Sequence, residues 1–165
     1  MQLKASVDYG MRIVLYLASQ QGVCSSRDIA ETMSIPRDYL IQLAQLLRKG
    51  GVIEARPGKN GGYLLAKDPS EISVFQVMSA LDDTGHALYS KRAMREDSEV
   101  AQNIERTYEL IESGTDTFFG FLTLDVLVKC VNDPENAEGY FVSCLASSSR
   151  ELLEQVAAPA VTNRS

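Results

Sequence analysis

The stretch SIPRDYLIQLAQLLRKGGVIEARPGKNGGYLLAKDP, residues 34–69, decides the fold. Pro36 biases Ile35 away from the helical region and so forces a turn, while its own φ suits the first turn of a new helix. From Arg37 to Lys49, Leu40, Leu43, Ala44 and Leu47 recur at helical spacing, and Gly50-Gly51 end the run. Two strand-like runs follow, Val52–Arg56 and Gly62–Ala66. Between them, Pro57-Gly58-Lys59-Asn60-Gly61 is turn chemistry in which Asn-Gly predicts a hairpin. A hairpin placed directly after such a helix is a wing.

Upstream, Val7, Met11, Val14, Leu15 and Ala18 predict an amphipathic helix over about 5–19, ended near Gly22. Ser25 or Ser26 then caps a short helix with Ile29, Ala30 and Met33 on one face. Two short helices around a tight turn, followed by a wing, predict a winged helix-turn-helix. The fold class is therefore mainly α with a small β-hairpin.

On the third helix, Asp38, Gln42, Gln45 and Lys49 share the face opposite the leucines, flanked by Arg37, Ile41 and Arg48. Glutamine pairs with adenine edges and arginine with guanine, and a helix is an element the major groove admits. Every surface helix has a polar outer face. The tight proline turn, the wing and the local charge together favour DNA contact. On the wing, Arg56, Lys59 and Asn60 are placed for phosphates or an adjacent minor groove; Asn60 is also explained by the hairpin.

The net charge of −6 over 165 residues hides an asymmetry. Residues 1–67 hold nine Lys or Arg against five acids, a balance of +4, and the remainder holds seven against seventeen, −10. A basic front and an acidic back is expected where only the front meets a polyanion. With 45% hydrophobic and 23% charged residues the composition is that of a globular protein. Charge comes too early in MQLKASVDYGMR for a signal peptide, which predicts a cytoplasmic location, and no apolar run suits a membrane span. One histidine, no nucleophile–base arrangement and no phosphate loop argue against an enzyme. The glycines at 58–62 lie between strands with no helix directly after them, which is not a phosphate cradle.

DYGMRIVLYLA at 8–18, the 34–69 stretch, ISVFQVMSAL at 72–81 and TLDVLV at 123–128 together resemble the Rrf-two (Rrf2) family of winged-helix regulators over about residues 1–130. That family includes iron–sulfur-assembly regulators and nitric-oxide-responsive repressors. The resemblance implies that helix 37–49 reads the major groove, that the wing touches backbone or minor groove, and that the protein is a homodimer. Cluster-binding members carry three closely spaced cysteines between the helix after the wing and the long dimerisation helix. Here that segment, LDDTGHALYSKRAMREDSEV at 81–100, has none. Asp8 matches a position that supplies a carboxylate ligand in some members, but it lacks the thiolate partners and reads as a helix-N-terminal acid. His86 lies in the relevant segment as a candidate ligand or proton switch; alone in a loop it reads as solvated. No metal and no cofactor are expected.

Val100, Ile104, Tyr108, Ile111, Thr115, Phe118 and Leu122 form the clearest helical stripe in the chain, interrupted near Gly114. Packing on its own winged domain would bury it. The resemblance favours a subunit interface of Val100, Ile104, Tyr108, Ile111, Phe118 and Leu122. A short helix from Thr123 to Val131, a break at Asn132-Asp133-Pro134 and an amphipathic segment over 140–156 follow. The tail after 158 reads as frayed. Cys130 and Cys144 have apolar company and read as small core residues. Cys24, in a loop-like stretch near a helix start, is the candidate redox sensor.

These readings predict two domains, 1–81 winged helix-turn-helix and 82–165 linker, dimerisation helix and helical extension. The expected function is a sequence-specific, homodimeric transcriptional repressor that responds to a signal other than an iron–sulfur cluster. That signal is a thiol modification, a small-molecule effector or a protein partner. The alternative is a winged-helix interaction module that has lost DNA binding.

Overall fold

A computed structural model describes residues 4–20, 22–82 and 98–157, with side chains through 150. His86, and the expectations for the tail after 158 and for Leu152 and Leu153, lie outside the described residues and side chains. The chain runs α1 (Ala5–Ser19), α2 (Ser26–Met33), α3 (Arg37–Lys49), β1 (Ile53–Arg56), β2 (Gly62–Leu65), α4 (Val74–Leu81), α5 (Glu99–Phe121), α6 (Leu124–Asn132) and α7 (Ala137–Ala157). It is the mainly helical winged helix that the sequence predicts, with a long C-terminal helix.

Each boundary has a local cause. The Ser25 hydroxyl accepts from the Asp28 N–H at 3.1 Å and caps α2. That helix ends at Ser34, whose left-handed φ of 54° is unusual for a non-glycine. The reversal lets the Ile35 N–H donate to the Ala30 carbonyl at 3.0 Å, and Pro36 then opens α3. At the other end of α3 the two glycines do different things. Gly51 has a φ of 69°, whereas a Cβ on Gly50 would lie 2.4 Å from the Ala80 Cβ, so Gly50 lets α4 pack closely.

Leu40, Leu43, Ala44 and Leu47 of α3 are buried with Ile13, Val14 and Leu17 of α1, Ile29 of α2 and Val77 and Leu81 of α4. This is the apolar stripe read from the sequence, and its burial is the main stabilising contribution here. In the wing, Ile53 pairs with Leu65 and Arg56 with Gly62. The turn occupies 57–61, as the sequence marks it, although Asn60-Gly61 is not its left-handed step. The left-handed residue is Gly58, with φ 115°, directly after Pro57, and Gly61 instead packs tightly against the turn's own backbone. Five residues link the strands, so the two-residue turn that Asn-Gly serves is not formed.

Two short backbone bridges tie distant segments together. The Cys24 N–H donates to the Tyr63 carbonyl at 2.9 Å and the Tyr63 N–H returns to Cys24 at 2.8 Å, fixing the α1–α2 connection to the wing. Gly62 permits this, because a Cβ there would lie 2.0 Å from the Cys24 carbonyl oxygen. Further along, the Val74 N–H donates to Leu122 at 2.7 Å and the Leu124 N–H to Ile72 at 2.9 Å, pairing Ser73 with Thr123. Leu124 enters the core shared by α1, α3 and α4, and α6 packs along α1. The chain after α5 thus returns to the winged core.

Helix α5 is divided. Its C-terminal part packs on α4 and α7, with the Phe118 and Phe141 ring centroids 6.1 Å apart. Leu122 is out of the helix and buried among Val7, Val74 and Met78. It extends the stripe in sequence but is not available to a partner, because the helix ends at Phe121 and the chain dives inward.

Candidate nucleic-acid interface

Burial of the leucines on one side of α3 necessarily turns Arg37, Asp38, Gln42, Gln45, Arg48 and Lys49 outward, and all six are exposed. Ile41 is half-buried beside them. Asp38 sits in the first helical turn, where a carboxylate opposes the positive end of the helix dipole. Lys59 and Asn60 are exposed at the wing tip, and Arg56 at the end of β1. Among the described residues Arg37, Arg48, Lys49 and Lys59 form no ion pair, whereas Arg56 lies 3.1 Å from Glu54. The site therefore combines a polar helix face able to enter a major groove with cations on the helix and on the hairpin beside it. A surface ion pair such as Arg56–Glu54 is weak and yields readily to phosphate.

Sequence reading missed what steadies the start of this helix. The Tyr39 ring meets Tyr9 of α1 edge-on at 5.8 Å, and Arg12 lies 5.4 Å over the Tyr9 ring. Arg12 also pairs with Asp8 at 2.8 Å and reaches the Met33 carbonyl at 3.5 Å, beside the helix-turn-helix turn. The signal that was present is the i, i+4 spacing of Asp8 and Arg12. Asp8 is a partner of Arg12 within α1, consistent with its reading as a helix acid.

A family model described as "Iron-dependent Transcriptional regulator", Rrf2, matches residues 3–130. The regulator IscR of Photorhabdus laumondii is 35% identical over 139 residues, covering 82% of each chain. The chain belongs to the Rrf2 family. NsrR of Shouchella clausii is 38% identical over 85 residues, 50% of this chain and 57% of that one. Among solved structures, the global cysteine regulator CymR of B. subtilis superposes with TM-score 0.64 at 26% identity, covering 78% of this chain and 97% of CymR. The T. potens IscR structure gives TM-score 0.63 at 25% identity, covering 79% and 88%. These relatives are transcriptional regulators rather than enzymes, and this Rrf2 chain is a DNA-binding transcriptional regulator.

A thiolate-held iron–sulfur cluster does not fit the three cysteines where this chain places them. Iron–sulfur clusters are held mainly by several converging thiolates. The three cysteines here lie in separate places: Cys24 on the wing bridge, Cys130 in α6 with its thiol on the Ala137 carbonyl, and Cys144 in α7 with its thiol on the Phe121 carbonyl. Residues 83–97 contain no cysteine. Among the described residues no three His, Cys, Asp or Glu side chains gather as a metal site. Both Cys130 and Cys144 are half-buried.

Cys24 is half-buried too, and burial pushes its thiol up, with the Asp28 carboxylate adding to the effect. A raised thiol carries less thiolate at neutral pH and is a slower nucleophile for it. No described helix is long and apolar enough to cross a membrane.

Base contacts and phosphate contacts respond differently to substitution. Arg37→Ala and Gln42→Ala are expected to narrow the gap between specific and scrambled duplexes by roughly 1–3 kcal/mol each. Lys59→Ala is expected to weaken both duplexes alike and to flatten the salt dependence. Fluorescence anisotropy titrations at several salt concentrations measure both effects. Unchanged binding in the triple variant would remove this face from the interface.

Proposed function

We propose that this protein is a homodimeric, sequence-specific repressor, acting in the cytoplasm on a signal other than an iron–sulfur cluster. The observation that carries the dimer is the N-terminal half of α5. There Val100, Ile104, Tyr108 and Ile111 are between 41% and 67% exposed. They project from a single helix and none is covered by the chain's own core, so a partner is needed to bury the stripe. A second copy supplies the same stripe and a self-complementary interface. Phe118 belongs to the edge of this seam, being half-buried against Phe119 and Phe141 within its own chain.

A dimer also supplies the second recognition helix. Two α3 helices set about one DNA turn apart, roughly 34 Å, read two half-sites. Arg37, Asp38, Gln42, Gln45 and Lys49 then face base edges and nearby phosphates, while Arg56, Lys59 and Asn60 hold the flanking backbone or minor groove. Repression needs only that the occupied site be denied to another protein. The functional division falls at 81/82, with 1–81 for DNA and 82–165 for assembly and sensing, although α6 packs on the DNA-binding part. As for Cys24, its place on the wing bridge means that a bulky thiol adduct would disturb β2. Its protonated state makes alkylation or disulfide exchange at high pH the route to it.

Ile111→Glu places a charge in the proposed seam, at a position exposed in the single protomer, so the fold should survive. Sedimentation at micromolar concentration should give a dimer for the wild type and a monomer for the variant, with operator affinity falling at least tenfold. A wild-type monomer, or a variant of unchanged mass, would contradict the interface.

The donor set makes a second expectation. Protein purified anaerobically should be colourless, carry no stoichiometric iron or sulfide, and bind DNA in that state. A brown preparation whose iron is lost in Cys24→Ala, Cys130→Ala or His86→Ala would show that ligands converge across the dimer and would overturn the reading.

A further inference from the structure

Helix α3 carries three half-buried apolar side chains, Tyr39, Ile41 and Leu46. Two of them are explained by the fold, because Tyr39 and Leu46 pack against the winged core. Ile41 is not. Among the described residues it belongs to neither apolar cluster. A single isoleucine at a protein surface is ordinary and needs no function. The position of this one on the helix is what gives it meaning.

Residues three and four apart are neighbours on a helix surface. Around Ile41 those neighbours are Arg37 and Asp38 on one side and Ala44 and Gln45 on the other, and only Ala44 is buried. At roughly 3.6 residues per turn, Ile41 falls inside the exposed polar arc rather than on its border with the leucines. Arg37 and Arg48 lie between it and the buried side, and Gln45, Asp38 and Gln42 lie beyond it. Where Gln42 and Gln45 meet base edges, Ile41 meets them too.

The chemistry available to it there is narrow. Base pairs present hydrogen-bonding groups to the major groove with one apolar exception, the C5 methyl of thymine. Against any other group Ile41 would cover a donor or acceptor that it cannot satisfy. A protein partner is the poorer fit, because docking patches are contiguous apolar areas of roughly several hundred Å². Ile41 is one apolar side chain among Arg37, Asp38, Gln45 and Arg48. We infer that Ile41 is a specificity-determining residue that reads the C5 methyl of a thymine in the operator half-site, beside the bases met by Gln42 and Gln45. This rests on the reading of α3 as the groove-facing helix.

Deoxyuridine tests the contact, since it lacks only that methyl and keeps every hydrogen-bonding group of thymidine. The operator is selected from random duplexes on the full-length protein, and each thymine of one half-site is replaced in turn. Covering one methyl is worth about fourfold in affinity. Anisotropy titrations should therefore show a thymine whose replacement weakens wild-type binding by about fourfold. Ile41→Ala should bind the two duplexes alike at that position, with a Tm within about 3 °C of the wild type. Ile41→Val should keep part of the sensitivity, and Gln42→Ala should keep all of it. A wild type indifferent to every replacement would overturn the inference. So would an Ile41→Ala variant as sensitive as the wild type, the result expected where the methyl acts through DNA shape. If Gln42→Ala still alters the selected sequence in either case, α3 remains the groove-facing helix and Ile41 alone is removed from the readout. If neither variant alters sequence preference, the reading of α3 falls with the inference.

Discussion

The backbone pairing of Ser73 with Thr123 is the constraint on which the rest of the molecule depends. Two hydrogen bonds, Val74 to Leu122 and Leu124 to Ile72, would be a minor contribution in themselves. Their effect is positional. They end α5 at a defined place, turn Leu122 into one apolar cluster and drop Leu124 into the other. The direction of α5 relative to α3 follows from that junction. Without it the exposed stripe would have no fixed relation to the recognition face, and a dimer would carry two DNA-reading helices at no particular separation.

Charge and packing divide the work between the two ends. Five of the nine Lys and Arg residues of the front lie on α3 and the wing, and among the described residues only Arg56 of these five is in an ion pair, which favours phosphate and raises encounter rates with a polyanion. The back is acidic, and most of α5's carboxylates flank rather than enter the apolar stripe. Asp116 is an instance of the cost: burial raises it above the ordinary carboxylate value, and Glu112 adds to the shift. In the proposed dimer, an acidic rim around the apolar seam keeps the back of the protein off DNA, so that one face approaches the duplex.

Much of the fold was legible because it is local. Pro36, the leucine spacing of α3, the paired glycines and the serine cap of α2 each act within a few residues, and each is where the sequence puts it. The exposed face of α3 is a direct consequence of the buried one, so the residues read as DNA-facing are all at the surface. What was not legible is non-local. Nothing in the pattern around Cys24 announces a bridge to Tyr63, because an isolated two-residue pairing has no periodicity. Leu122 continues the α5 spacing, yet the helix ends one residue earlier, and no side-chain pattern marks that exit. The wing turn lies where the sequence puts it, over 57–61, but Asn60-Gly61 and Pro57-Gly58 both suit a tight turn, and only the structure shows that Gly58 is the left-handed residue. Arg12 was overlooked because one of its partners, the Met33 carbonyl, becomes a neighbour only once α1 crosses the helix-turn-helix, although Tyr9 lies three residues away on the same helix.

The central claim is that two copies, joined along α5, read two half-sites on one face of DNA. The most direct test varies the spacing in a mapped operator. Inserting about five base pairs between half-sites turns one of them by roughly half a helical turn. The account predicts that affinity then drops to that of an isolated half-site, and that an insertion of a full turn of about 10.5 base pairs places both sites on one face again. Equal affinity for the native operator, the half-turn insertion and the single half-site would contradict it.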